Sequence, residues 1–132
     1  MAIRVVVVDD HPSFRRALTA ALELIDGVDV VGEASDGLYA SDEVARARPD
    51  AVLMDLSMPD VSGLDAMRKI HESQPSLPVV ILTAHADAGV ERECYAAGAR
   101  GFLAKGATLQ EIVAALRNAA EDDVVSDGAS RT

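Results

Sequence analysis

Three aspartates, a threonine and a lysine stand where the apolar runs of this chain stop. IRVVVV (3–8) runs into Asp9 and Asp10. AVLM ends on Asp55, VVIL ends on Thr83 with Ala84 after it, and GFLA ends on Lys105. Singly, each has an ordinary role. An Asp after a strand often caps the next helix, a Thr suits a strand, and a Lys suits solvent. As a set they point elsewhere. Carboxylates gathered together repel, and burial makes each ionised form costly. Such a cluster calls for a cation, and hard oxygens select Mg²⁺, with Mn²⁺ as the alternative. A metal alone leaves the lysine without a task; an entering anion supplies one. A phosphoryl group in transfer carries charge that a divalent ion, an ammonium and a hydroxyl can share. A carboxylate can serve as nucleophile. Asp55, alone at the end of its run and followed by LSMPDVSG, is the candidate.

The elements that would carry these residues alternate along the chain. Apolar, largely β-branched runs fall at 3–8, 28–34, 51–55, 79–83 and 101–105. Between them lie segments of helical period at about 12–25, 37–47, 63–73, 88–97 and 108–120. On the first, Phe14, Ala17, Leu18, Ala21, Leu22 and Ile25 share one face. Pro12 suits its first turn, Gly27 is a plausible stop, and Gly98 ends the fourth helix. Thr108 with Glu111 has capping-box spacing. Strand and helix alternating five times predict an α/β protein with a parallel sheet. The more mixed run VDVVGEA reads as an edge strand. In such sheets ligands bind beyond the carboxyl ends of the strands, where the winding reverses. That rim is where the five residues fall.

Composition bounds the alternatives. The chain has 132 residues, 49% hydrophobic and 3% aromatic, so aliphatic side chains must build one core. The net charge of −10 disfavours nucleic acid, whose phosphates need Lys and Arg. The apolar runs are too short to cross a bilayer, no signal peptide is legible, and a single Cys allows no internal disulfide. The expectation is a cytoplasmic protein with no membrane contact. A Rossmann glycine fingerprint and a P-loop are both missing from the sequence.

VVVVDDHP, VLMDLSMPDVSGLDA, VILTAHAD and AGARGFLAKGAT, in this order and spacing, resemble the receiver domain of two-component response regulators over about residues 3–120. The resemblance implies a doubly wound, flavodoxin-like (CheY-like) sheet of order 2-1-3-4-5. It implies a receiver domain over 1–120, with 121–132 as an acidic flexible tail or the start of a linker. It places the phosphoacceptor on Asp55. The metal falls to Asp9, Asp10, Asp55 and the Ser57 backbone carbonyl, with Asp10 and Asp55 direct and Asp9 acting mainly through water. Phosphate binding and switching fall to Thr83, Ala84, Lys105 and the aromatic position Phe102.

The function so implied is phosphoryl acceptance from a cognate histidine kinase, Mg²⁺-dependent. It is a signalling role, not that of an enzyme, although the domain supports its own phosphorylation and dephosphorylation. Output would run through homodimer or partner contacts. DDHP and the Lys–Gly pair resemble the NarL/FixJ (LuxR-type) subfamily, which adds transcription control through a helix-turn-helix domain not contained in these residues. The alternatives are a stand-alone receiver or, more distantly, a Mg²⁺-dependent aspartyl-phosphate phosphatase. The latter wants a second acid where Ser57 stands. Gly106 replaces the proline many receivers carry after the lysine, so a looser loop is expected. Of the remaining residues, His11 is expected to line the rim and His85 to be solvated. Cys94, Met54, Met58 and Met67 should serve packing, and Asp60 and Asp65 should face solvent.

Overall fold

The computed structural model describes residues 2–59 and 61–128, with side chains described as far as Glu121. Five strands form one parallel sheet in the order β2-β1-β3-β4-β5. They are β1 (Ile3–Val8), β2 (Val28–Ala34), β3 (Ala51–Met54), β4 (Val79–Thr83) and β5 (Gly101–Ala104). The helices are α1 (Pro12–Glu23), α2 (Gly37–Ala47), α3 (Gly63–Ser73), α4 (Ala88–Ala96) and α5 (Leu109–Gly128).

The four valines of β1 explain the layering. Side chains alternate across a strand. Val5 and Val7 enter one core with Leu18 and Leu22 of α1 and Ile112, Val113 and Leu116 of α5. Val6 and Val8 enter the other, with Val44 of α2, Met67 and Ile70 of α3 and Cys94 of α4. All four are buried. A strand covered on both faces has no polar face to show, hence the unbroken run. Edge strand β2 is half-exposed, and its pairing with β1 slips between Val5 and Val6.

Local signals set most boundaries. Pro12 opens α1. That helix ends at Glu23, short of the expected residue 25: Leu24 and Ile25 turn their amides back to Ala21 and Leu22 three residues earlier. Gly27, at φ +87°, serves the following turn, where its carbonyl accepts from Ile3. At α4, Gly98 with φ +115° closes a Schellman motif, its own amide reaching Tyr95 O and that of Ala99 reaching Cys94 O. Thr108 and Glu111 form the reciprocal capping box, at 3.1 and 2.8 Å. Asp36, Ser62 and Asp87 cap α2, α3 and α4.

α5 continues beyond residue 120 to Gly128. The residues from Glu121 to Asp127 contain neither Gly nor Pro, and extending an existing helix costs little where no breaker intervenes. Loss of apolar periodicity thus does not mark the end of the helix. Every described peptide bond is trans, Lys105–Gly106 included, and a side chain at Gly106 would meet nothing within 4 Å.

Candidate functional site at the strand ends

The winding reverses between β1 and β3, and the ladder there places the acids. Val8 pairs with Met54, and the Asp55 amide bonds to Val8 O at 2.9 Å. The residue after each strand therefore stands beside its neighbour. On the other side Thr83 pairs with Ala104, and the Lys105 amide bonds to Thr83 O at 2.8 Å. Lys105 can then reach back over the rim. Its Nζ lies 2.9 Å from Asp9 Oδ2 and 3.4 Å from Asp55 Oδ2. The ring of Phe14 lies 4.7 Å from the same ammonium.

The three carboxylates differ. Asp9 is buried; beyond Lys105 it accepts the His11 amide at 2.8 Å, closing the turn into α1. Asp55 is buried and accepts weakly from the Ser57 amide at 3.4 Å. Burial, then the charge of Asp9, push its carboxyl above its ordinary value; Lys105 opposes this, and a side-chain hydrogen bond with Asp10 favours it. Asp10 is not a helix cap. The N-cap of α1 is His11, and no side chain caps that helix. Asp10 Oδ1 is shielded from solvent yet takes no hydrogen bond from the described residues. Such an orphan is costly, and a cation is the natural partner.

His11 completes the cluster. Its Nδ1 lies 3.2 Å from Asp9 Oδ1, 3.3 Å from Asp10 Oδ1 and 3.9 Å from Asp55 Oδ2. Ligand atoms from Asp9, Asp10, His11 and Asp55 all fall within 4.8 Å of one another. The donor set, with its orphaned oxygen, fits a divalent cation.

The remaining sequence-picked residues are spread more widely. Thr83 is buried, its Oγ1 accepting from the His85 amide at 3.1 Å. Ala84, His85 and Ser57 are exposed. Phe102 packs, half-buried, against the core on the α2–α3–α4 side. Cys94, Met54 and Met67 are core residues, Met58 packs against them, and Asp65 is exposed. Asp60 lies outside the described residues.

Two supports escape sequence inspection. Arg15 donates to Asp9 O at 2.7 Å and to Glu33 Oε1 at 3.0 Å, tying the acidic turn to β2. Glu33 near the carboxyl end of β2 was the available signal: another charge at a strand end. Gly63 permits α3 to start against the Asp55 turn, since a Cβ there would strike the Asp55 carbonyl oxygen and come within 2.8 Å of Leu56 Cα.

A doubly wound sheet with an acidic cluster at its switch point and a lysine across it defines a class of protein, and comparison gives its family. The response regulator receiver domain model matches residues 5–117. The chain belongs to that family: it is a receiver domain of the two-component response-regulator type, with the CheY-like, flavodoxin-like fold. Response regulator GacA of Pseudomonas viridiflava is 43% identical over 115 residues, 87% of this chain and 54% of that protein. The chain thus spans about half the length of the curated relatives it matches. The signal receiver domain of the response regulator NarL from Mycobacterium tuberculosis is 37% identical, with a TM-score of 0.84 over 91% of this chain and 97% of that one. A LuxR-family two-component response regulator from Aurantimonas sp. SI85-9A1 is 30% identical, with a TM-score of 0.88 over 92% and 87%. Among the described residues, no helix is long and apolar enough to cross a membrane.

Proposed function

We propose that this receiver accepts a phosphoryl group on Asp55 from a histidine kinase or a small phosphodonor. The observation that carries this is the pairing of a buried Asp55 carboxylate with the Lys105 ammonium at 3.4 Å, beside an Asp10 oxygen that takes no hydrogen bond from the described residues. An Asp55 oxygen attacks phosphorus. The new O–P bond forms as the bond to the donor imidazole breaks, and the imidazole leaves with the electron pair. Lys105 favours the ionised carboxylate this requires and stands ready to pair with the incoming oxygens. Asp9, Asp10, Asp55 and the Ser57 backbone carbonyl would hold Mg²⁺, or Mn²⁺, which when bound supplies charge compensation for the transferring group.

Thr83 is the proposed sensor. Its oxygen already accepts the His85 amide, which leaves its hydroxyl proton to donate toward a phosphoryl oxygen. Ala84 follows Thr83 and is small enough to leave the approach open. Phe102 sits two residues before the β5 partner of Thr83, so a Thr83 shift is felt on that side of the molecule. Self-association or partner binding is the proposed output. The likeness to LuxR-family regulators supports an effect on transcription, exerted through a helix-turn-helix domain rather than by these acidic residues.

Intact-mass spectrometry after incubation with acetyl phosphate and Mg²⁺ tests the assignment. One phosphoryl adduct is expected on the unaltered chain and none on Asp55→Asn. No adduct on the former, or an undiminished adduct on the latter, would sink it. Steady release of phosphate over many turnovers from a generic phosphate ester would favour the phosphatase alternative.

A further inference from the structure

We infer that His11 is a ligand in the strand-end metal site and sets its selectivity, tilting it from Mg²⁺ toward divalent ions of the later first transition row. This rests on the proposed reading of the acidic cluster as a metal site. The position of the ring carries it. The His11 main chain is held on both sides: its amide bonds to Asp9 Oδ1 at 2.8 Å, and its carbonyl accepts the Arg15 amide at 2.9 Å, the opening bond of α1. That leaves Nδ1 3.2, 3.3 and 3.9 Å from oxygens of Asp9, Asp10 and Asp55.

The bland alternative is a rim histidine donating one N–H to Asp9. One proton cannot serve three carboxylates well, and it leaves Asp10 Oδ1 without a hydrogen bond from the described residues, as observed. A cation among the four groups satisfies all of them. The Lys105 ammonium lies 3.2 Å from the same Nδ1 and is the group a metal ion would displace from the ring. The side chain of His11 is 61% exposed, so the ring has room to adjust its angle to an ion.

Chemistry then decides which ion. Three carboxylate oxygens alone suit Mg²⁺ and Mn²⁺. Adding an imidazole nitrogen favours Ni²⁺, Cu²⁺ and Zn²⁺, for which nitrogen donors raise affinity along the Irving–Williams order. Mg²⁺ gains little from nitrogen. The consequence is a receiver whose site a trace transition ion can occupy against a large excess of Mg²⁺.

Calorimetric titrations with Mg²⁺ and Ni²⁺, on the unaltered chain, His11→Ala and His11→Gln, test this. The ratio of Ni²⁺ to Mg²⁺ affinity should fall about tenfold or more in both variants. Asp10→Asn should weaken Ni²⁺ as well, which separates this site from binding at His71 or His85. Electron spin-echo modulation of the Mn²⁺-loaded chain should show a coordinated imidazole nitrogen that is lost in His11→Gln. Mg²⁺ binding with an unchanged ratio, or an Mn²⁺ signal without nitrogen coupling, overturns the inference and leaves the Mg²⁺ site standing. Failure of the unaltered chain to bind either ion overturns the proposed metal site, and the inference with it.

Discussion

Asp55 and Asp10 are held in the folded state at a cost, and that cost is measurable. Burial and the neighbouring Asp9 raise the Asp55 carboxyl above its ordinary value of 3.8. The folded chain therefore binds this proton more tightly than the unfolded chain does. The contribution of that group to stability is complete below the ordinary value and is lost as pH rises through the raised one. Metal-free Asp55→Asn should accordingly melt higher than the unaltered chain at neutral pH. The gap should close as pH falls toward the ordinary carboxylate range. A gap independent of pH would mean the carboxylate is not strained by its surroundings. Asp10→Asn relieves charge repulsion around an oxygen that takes no hydrogen bond from the described residues. It should gain on the order of 1 kcal/mol without metal and lose Mg²⁺ affinity in calorimetry. Strong destabilisation in a metal-free melt would instead make Asp10 a structural residue.

At the scale of elements, the short signals at helix ends hold the rim in place. The capping box at Thr108 and Glu111 starts α5 only three residues after Lys105. Thr108→Ala should cost about 1 kcal/mol in a denaturant melt, with little change in Mg²⁺ affinity, because Lys105 is anchored separately by its amide bond to Thr83. Sequence periodicity was a good guide to these elements. The boundaries of α2 and α3 match the periodic segments, and all five helix starts are marked by a Pro or a side-chain cap. It was a poorer guide where no side chain marks an end. α1 stops before Gly27 because its last amides turn to carbonyls three residues back, a backbone choice that leaves no trace in residue types. α5 runs on to Gly128 because nothing in Glu121–Asp127 breaks it.

For the molecule as a whole, the two cores meet at the sheet and the site sits at their shared edge. A ligand that binds there stabilises the entire fold. Saturation with Mg²⁺ at a hundred times its dissociation constant should raise unfolding stability by about 2.7 kcal/mol. The gain should be read as a shift in the melt and should vanish in Asp10→Asn. A melt unmoved by Mg²⁺ in the unaltered chain would mean that the folded chain binds no Mg²⁺. The net charge of −10 should likewise keep this chain off DNA at physiological salt, phosphorylated or not.

Residue order alone determined that this is a parallel α/β chain, with Asp9, Asp10, Asp55, Thr83 and Lys105 on one rim. An apolar run can end on a charge only where the strand leaves the core, so the ends of β1, β3 and β5 were legible from their own neighbours. Tertiary structure decided what those groups do to one another. The resemblance separated Asp9 from Asp10 only by their route to a metal; the fold adds that, of the two, Asp9 takes the lysine and Asp10 keeps an oxygen with no hydrogen bond from the described residues. That difference depends on the direction in which Lys105 reaches back from β5 and on Arg15 holding the Asp9 carbonyl. His11, which follows the pair, turns its ring into the cluster for the same reason: the α1 start and the β1–β3 register fix its backbone at once. The contacts of Lys105 with Asp9 and of His11 with Asp55 join residues dozens of positions apart, and no local pattern encodes their geometry.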